Sequence, residues 1–202
     1  MGIIHSIEKQ TDNRFVNLYH VKATSVHNTP VNYFVASRAK CVEQMKIKTH
    51  KNKPDGVIIY AVTGEKKDKV VLIRQYRYTI GDYVYEFPAG LVEDNENYKE
   101  GAVREMLEET GLVLEPIDPA PEYEKPFFTT VGLTDESCAA VYGYAYGEIN
   151  KDGQEDSEEI EVVLADKTEV RRILREENVA IMCAYMLMHF LKDESPFSFL
   201  EE

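Results

Sequence analysis

Residues 90–96 read GLVEDNE, and after seven intervening residues the stretch 104–112 reads REMLEETGL. At 3.6 residues per helical turn, Glu105, Glu108 and Glu109 fall on one face of a helix. The opposite face carries apolar residues that would pack against a sheet: Ala102, Val103, Met106 and Leu107. We therefore predict an amphipathic helix from about Asn97 to Thr110 that ends at Gly111, a common residue just past a helix end.

The three carboxylates on adjacent helical turns repel one another. Each like-charge pair weakens an isolated helix by roughly a few tenths of a kcal/mol. A hard divalent cation would remove the conflict, because Mg²⁺ binds carboxylate oxygens, water and phosphate oxygens. The alternative is a solvated acidic face, which is the ordinary environment of a glutamate pair.

The spacing of the whole segment favours the metal site. The pattern Gly-x5-Glu-x7-Arg-Glu-apolar-x-Glu-Glu-x-Gly-apolar is complete between Gly90 and Leu112. Its seven non-apolar positions match by chance with a probability on the order of 10⁻⁶. The segment resembles the Nudix box without departure. That resemblance implies an α/β/α sandwich with a mixed sheet and Mg²⁺-dependent cleavage of the diphosphate linkage of a nucleoside diphosphate derivative.

The resemblance also implies roles for single residues within and beside the box. Glu105, Glu108 and Glu109 would be metal ligands, joined by the backbone carbonyl of Ala89, for two or more Mg²⁺ ions, with Mn²⁺ as a substitute. Arg104 and Glu96 would orient those ligands. Gly90 and Gly111 would permit backbone conformations that a side chain hinders.

Sequence around the box is similar to the ADP-ribose and nucleoside-diphosphate-sugar pyrophosphatase branch of this family. The similar stretches are IRQYR at 73–77, EFPAGL at 86–91 and GLTDE at 132–136. They imply that Arg77 contacts the substrate diphosphate, to which a guanidinium binds bidentately. They also imply that Glu86 lies near the metal site and Glu136 near the terminal sugar. The alternative interpretation is that Arg77 is a surface residue at the end of a strand.

The substrate expected from this branch is ADP-ribose. One departure is Val131, where the ADP-ribose group typically has a proline before the glycine, so UDP-sugars and GDP-sugars stay open. A third hypothesis for the function is a non-catalytic Nudix protein that senses ADP-ribose. Such sensors carry a DNA-binding extension, and this chain offers only two helices and a short acidic tail after its last strand.

A catalytic base must take a proton from the attacking water. The branch uses a glutamate before a late strand, and Glu158 in EEIEV at 158–162 fits that place. Glu159 is the nearest competitor. The acidic run around both residues is otherwise typical of a solvated loop.

Residues 12–50 form a segment of their own in the sequence. It is predicted as short strands with a turn near Asn28-Thr29-Pro30, and the polar stretch at 50–56 indicates a boundary. We expect an N-terminal antiparallel β extension at 1–50 and a Nudix domain at 51–202. By resemblance, the extension would contribute to a homodimer and to a base-binding pocket through Tyr33, Phe34 and Arg38, although these could equally be sheet residues.

The remaining pattern predicts strands and then interleaved helices, in an α/β or α+β sandwich. Strands are predicted at 57–62, 70–76, 83–87, 123–130, 137–146 and 160–164. Helices are predicted from a cap at 166–169 to about 176, and from about Val179 to Lys192. The apolar face expected for this last helix consists of Ile181, Tyr185, Met188 and Phe190.

Composition narrows the partners and the compartment. The formal net charge of −13 argues against nucleic acid or an anionic membrane surface as a partner. A phosphate substrate is compatible with that charge when metal ions lie between. The three cysteines form no disulfide framework, and no stretch resembles a signal peptide or a membrane span, so a cytoplasmic protein is expected.

Overall fold

The computed structural model describes residues 1–154 and 159–200. Two compact units divide the chain: Met1–Asp55 with Pro126–Cys138, and Gly56–Lys125 with Ala139–Glu202. None of the helices within the described residues is long and apolar enough to span a membrane.

The strands lie along the chain as β1 (Ile3–Lys9), β2 (Asn17–Thr24), β3 (Pro30–Ser37), β4 (Gly56–Thr63), β5 (Lys69–Arg77), β6 (Asp82–Glu86), β7 (Ala89–Leu91), β8 (Val113–Pro116), β9 (Phe127–Phe128), β10 (Ser137–Tyr146) and β11 (Ile160–Ala165). The α-helices are α1 (Lys46–Thr49), α2 (Tyr98–Thr110), α3 (Pro121–Glu124), α4 (Lys167–Glu176) and α5 (Ile181–Lys192). Short 3₁₀ turns lie at Val42–Gln44 and Ser198–Leu200.

The first unit is built on an antiparallel sheet of β1, β2 and β3. Alternate residues of β2 point to opposite faces, and Tyr19 and Val21 are buried together with Met45. The buried Tyr19 keeps its hydroxyl satisfied by donating to the carbonyl of Ala39 at 2.6 Å. This sheet confirms the predicted N-terminal antiparallel extension.

The segment Pro126–Cys138 belongs to the first unit although it lies far along the chain. The Ala36 amide donates to the carbonyl of Leu133 at 2.9 Å. The carboxylate of Asp55 accepts from the Ser137 amide at 2.9 Å and from Lys46 Nζ at 2.6 Å. These bonds fix the segment against β3 and against the residues that follow α1.

The second unit is a sheet with helices on both faces. The strand order is β11-β5-β4-β10-β8, with β6 paired to β5 and β7 paired to β4. On one face Ile59 and Val71 pack with Met106 of α2. On the other face Leu72 packs with Ile173 of α4 and Leu187 of α5. This confirms the α/β/α sandwich, and the alternation of strand side chains between the two faces explains it.

Several predicted elements need correction. Strand β1 was not predicted, and residues 42–49 form helical turns instead of strand. Within the strand predicted at 123–130, α3 begins with Pro121 at its first turn, where proline is favoured, and only Phe127–Phe128 is extended. The short strands β7 and β8 were not predicted either, because three or four residues carry too little alternation to recognise.

The apolar face predicted for α5 is right at Phe190 and wrong at the other three residues. The buried residues are Cys183, Leu187 and Phe190, whereas Ile181, Tyr185 and Met188 are exposed. Apolar residues surround most of this helix, so their periodicity does not select the face that packs on the sheet. In α2 the predicted apolar face holds for Ala102 and Met106, but Leu107 is exposed.

Candidate active site

Helix α2 begins and ends where the sequence predicts. The side chain of Asn97 accepts from the Lys99 amide at 3.0 Å, and Glu100 Oε2 accepts from the Asn97 amide at 3.2 Å, which completes a capping box. Gly111 ends the helix in the left-handed conformation at φ 77°. These two ends define the helix, and its period of 3.6 residues then places the three glutamates on one face.

Two of the glutamates lie against the loop that precedes α2. Glu105 approaches Gly90 so closely that a side chain at position 90 would displace the Glu105 carboxylate. Glu109 is 3% exposed, and its Oε2 accepts from the backbone amide of Ala89 at 3.0 Å. Ala89 and Gly90 lie in strand β7 at the start of this loop, and the pairing of Ala89 with Ile58 of β4 fixes them to the central sheet.

Arg104 connects the glutamates of the segment to one another. Its Nε and Nη2 donate to the two carboxylate oxygens of Glu96 at 2.9 and 3.0 Å. Its Nη1 donates to Glu105 Oε1 at 2.8 Å and to Glu108 Oε2 at 2.9 Å. The guanidinium lowers the pKa of Glu96, and the surrounding carboxylates raise the pKa of Arg104. Arg104 therefore contacts two of the predicted ligands directly, and Glu96 holds Arg104 in place.

The chemistry of this donor set fits a hard cation, because every donor is a carboxylate or carbonyl oxygen. The Glu105 carboxylate approaches Gly90 closely. This places one donor next to the residue that follows Ala89, whose carbonyl is another predicted ligand. In the present arrangement Arg104 bridges Glu105 and Glu108. Among the described residues, no three His, Cys, Asp or Glu side chains converge on a point that could hold a metal ion. The Arg104 guanidinium thus bonds to carboxylate oxygens that a bound cation would also use.

Arg77 and Glu86 form an ion pair with 2.6 Å between Nε and Oε2. Both lie on the face of the sheet that α2 covers. Val71 packs in the cluster of α2. Arg77 lies an even number of residues further along β5, so its side chain points to the same face of the sheet. Glu86 pairs with Ile73, whose side chain points to the same face of the sheet as that of Val71. The sheet thus places both residues on the side of the glutamate cluster.

Glu159 points to the opposite face. Its carboxylate accepts a hydrogen bond from the Tyr83 hydroxyl, and this bond raises the pKa of Tyr83. Tyr83 pairs with Tyr76. Its side chain points to the same face of the sheet as that of Tyr85, which packs with α4 and α5. The carboxylate of Glu159 is therefore directed away from α2. Glu158, the predicted base, lies outside the described residues.

Two predicted substrate residues contact each other within the first unit, and a third contacts the segment to which one of them belongs. Arg38 donates to the carboxylate of Glu136, with 2.9 Å from Nε to Oε1, and the Tyr33 hydroxyl donates to the carbonyl of Gly132. Phe34 is the next residue after Tyr33 on β3 and points to the opposite face, where it stacks on His20 with 4.6 Å between ring centroids. Phe34 is thus separated from the cluster of Tyr33, Arg38 and Glu136.

The model of the NUDIX domain matches residues 52–183 of this chain. The chain belongs to the Nudix family. A putative Nudix hydrolase 2 of Caenorhabditis elegans is 35% identical over 129 residues, covering 63% of this chain and 54% of that protein. An ADP-sugar pyrophosphatase of Mus musculus is 38% identical over 82 residues, covering 39% of this chain and 38% of that protein. These matches span about half, or less, of the relatives' own length.

The fold has a counterpart among solved structures. A structure described as an ADP compounds hydrolase aligns with a TM-score of 0.66 over 95% of this chain and 94% of that chain. Its sequence identity is 16%, so the likeness concerns the fold alone. It agrees with the Nudix sandwich derived from the packing of α2, α4 and α5 on the sheet.

One contact to the Nudix helix was missed by sequence reasoning. The side-chain amide of Gln154 donates to the backbone carbonyl of Glu109 at 2.7 Å. The two residues are 45 positions apart, and Gln154 lies in an acidic loop with no motif of its own. No local signal in the sequence would have found this contact.

Proposed function

We propose that this Nudix protein hydrolyses the diphosphate bond of ADP-ribose and releases AMP and ribose 5-phosphate. The observation that carries the proposal is the set of Glu105, Glu108 and Glu109 on one face of α2, held in phase by Arg104 and by the loop at Ala89. The complete Nudix box and the similarity to an ADP-sugar pyrophosphatase support the choice of substrate class.

Divalent cations, Mg²⁺ or Mn²⁺, are part of this proposal. The residues that would hold them are Glu105, Glu108, Glu109 and the carbonyl of Ala89. Such ions supply positive charge that offsets the charge of a diphosphate and lowers the pKa of water. In a protein with a net charge of −13, that positive charge is also needed for a polyanionic substrate to approach the acidic helix.

The chain's own side chains have three tasks in the proposed reaction. Arg77 binds the diphosphate, and its present partner Glu86 holds the guanidinium on the α2 face until substrate replaces it. The water oxygen forms a new bond to one phosphorus, and the bond from that phosphorus to the bridging oxygen breaks. Glu158 takes the proton of the water, while Arg77 stabilises the charge on the departing phosphate.

The choice of Glu158 as base is supported by the position of its competitor. The carboxylate of Glu159 bonds to Tyr83 on the sheet face away from α2. A general base must come within about 3 Å of the proton that it takes, or reach it through one water. Glu159 would have to leave Tyr83 and cross to the other face, so Glu158 is the better candidate.

Substrate recognition by the first unit and a homodimeric state are the remaining parts of the proposal. Arg38 and Glu136 already form a charged pair, and Tyr33 adds a hydroxyl beside the same segment. Phe34 stays a candidate for base stacking. Light scattering coupled to size exclusion tests the dimer, and a mass of one chain would contradict it.

A product panel tests the proposed activity. Purified protein is incubated with Mg²⁺ and ADP-ribose, ADP-glucose, UDP-glucose or GDP-mannose, and the products are separated by chromatography. We expect AMP and ribose 5-phosphate from ADP-ribose, with kcat/KM about tenfold or more above the UDP and GDP compounds. A preference for UDP-glucose or GDP-mannose would contradict ADP-ribose as the substrate. A lack of turnover with all four compounds would refute the proposed hydrolase activity.

A further inference from the structure

The last turn of the Nudix helix is capped by a distant loop. The final carbonyls of an α-helix have no partner within the helix. In α2 the carbonyl of Glu109 accepts from Gln154 Nε2 at 2.7 Å, and the carbonyl of Thr110 accepts from the Asn150 amide at 3.2 Å. Both donors belong to one short segment, Asn150–Gln154, which we call the capping loop.

Backbone packing fixes the capping loop to the same turn. A Cβ atom on Gly153 would lie 2.8 Å from Cα and 3.0 Å from the carbonyl oxygen of Glu108. A Cβ atom on Gly111 would lie 2.6 Å from the backbone nitrogen of Asn150. Backbone atoms cannot rotate away as the end of a side chain can, so both contacts require glycine.

The capping loop also has a structure of its own. The Gln154 amide donates to the carbonyl of Lys151 at 3.2 Å, and the Asp152 amide donates to Asn150 Oδ1 at 3.2 Å. These bonds form a turn that presents the Gln154 side chain to the helix. Because the turn itself restrains the backbone of Gln154, less entropy is lost when its side chain bonds to Glu109.

We infer that Gln154 and Gly153 are positioning residues that hold the final turn of α2 in the geometry needed for metal binding. Glu108 and Glu109 stand on this turn, and helix ends fray when their carbonyls are unpaired. The capping loop contacts the backbone of both residues, so it restrains their Cα atoms without touching substrate. The inference rests on the proposed metal site of Glu105, Glu108 and Glu109.

Metal binding without substrate is the first test. Mn²⁺ affinity is measured by electron paramagnetic resonance for the wild type, Gln154→Ala and Gln154→Met. Methionine keeps the length of the side chain and removes the donor, so it separates the hydrogen bond from packing. We expect both variants to bind Mn²⁺ about three- to tenfold more weakly, as expected for the loss of one hydrogen bond. Lys151→Ala is the control from the same loop, with unchanged affinity.

Hydrogen exchange of α2 separates positioning from a general loss of structure. We expect faster exchange for amides 108–111 in Gln154→Met, with amides 101–104 and strand β4 unchanged. Gly153→Ala should give the same pattern with a larger effect. Equal acceleration throughout α2 and β4, or wild-type Mn²⁺ affinity in both Gln154 variants, would overturn the inference.

The outcome for this inference is separable from that of the proposed function. If the wild type binds Mn²⁺ and the Gln154 variants weaken that binding, positioning is supported even when the product panel shows no turnover of ADP-ribose. If the panel shows turnover and the Gln154 variants match Lys151→Ala in Mn²⁺ affinity, positioning is refuted and the activity is retained.

Discussion

Gly90 and Glu105 are in such close contact that a Cβ atom at position 90 would lie 1.9 Å from Cδ of Glu105. The loop before α2 and the first carboxylate of the helix are therefore fitted to each other. The atoms that would collide are the carboxylate end of a flexible side chain, which can move by rotation. A substitution at Gly90 should thus displace the carboxylate without disrupting the fold.

For Gly90→Ala we predict a selective loss of activity. Turnover of the best panel substrate should fall by about tenfold or more, because a displacement of about 1 Å in a reacting group has effects of this size or larger. The free energy of unfolding should change by less than about 1 kcal/mol, since the carboxylate can rotate away. Kinetics and urea unfolding measure the two effects. Asp94→Ala, in the same loop and exposed, is the control, and equal kinetics for the two variants would contradict the prediction.

For Glu109→Gln we predict a fall in kcat of more than about 10²-fold, the scale for loss of a main electrostatic element. Glutamine has nearly the same shape, and its side-chain oxygen can still accept from the Ala89 amide, so the fold should persist. Circular dichroism checks the fold, and steady-state kinetics check the activity. Glu115→Gln on β8 removes one charge at an exposed position as a control. Near-normal turnover would exclude Glu109 from the ligand set.

For the catalytic base we predict different results at two adjacent positions. Glu158→Gln should slow turnover by about 10²-fold or more and spare Mn²⁺ affinity, because a base is lost and no ligand is removed. Glu159→Gln should leave turnover near that of the wild type, since its carboxylate bonds to Tyr83 on the other sheet face. Kinetics and metal titration are compared for both variants. The reverse pattern would assign the base to Glu159.

For the cysteines we predict slow alkylation in the folded protein. Burial raises the pKa of Cys138 to about 11 and also raises the pKa of Cys183. At pH 8 the reactive thiolate is therefore rare at both positions. Iodoacetamide should label them on the order of 10²-fold more slowly than in urea, as followed by mass spectrometry. Similar rates in both states would show that these thiols are accessible in the folded protein.

The Nudix helix was predictable because its information is local. Asn97, the three glutamates and Gly111 act within a few turns of one helix, so their spacing predicts the start, the reactive face and the end. Strands β4, β5 and β10 were predictable for a similar reason, since each carries a long apolar run. The α/β/α architecture then follows from strands that are apolar on both faces.

Where local periodicity allows more than one buried face, packing in the folded protein selects the face. Helix α5 is apolar on most sides, and only its packing on the sheet selects Cys183, Leu187 and Phe190 as the buried face. Tyr33 and Phe34 look alike in the sequence, yet strand alternation sends them to opposite faces.

Residue spacing was enough to predict the Nudix helix, its glutamates and the sandwich that carries them, because spacing within one helix or strand depends only on backbone geometry. Three contacts emerge only from the folded chain: Glu159 faces Tyr83, Arg104 connects Glu96 to Glu105 and Glu108, and Gln154 caps Glu109. Those contacts depend on which sheet face a residue occupies, on which rotamer brings charges together, or on a loop brought from 45 residues away. Residue spacing along α2 predicts that Arg104 lies near Glu105 and Glu108, but it does not encode the contacts that join different parts of the chain.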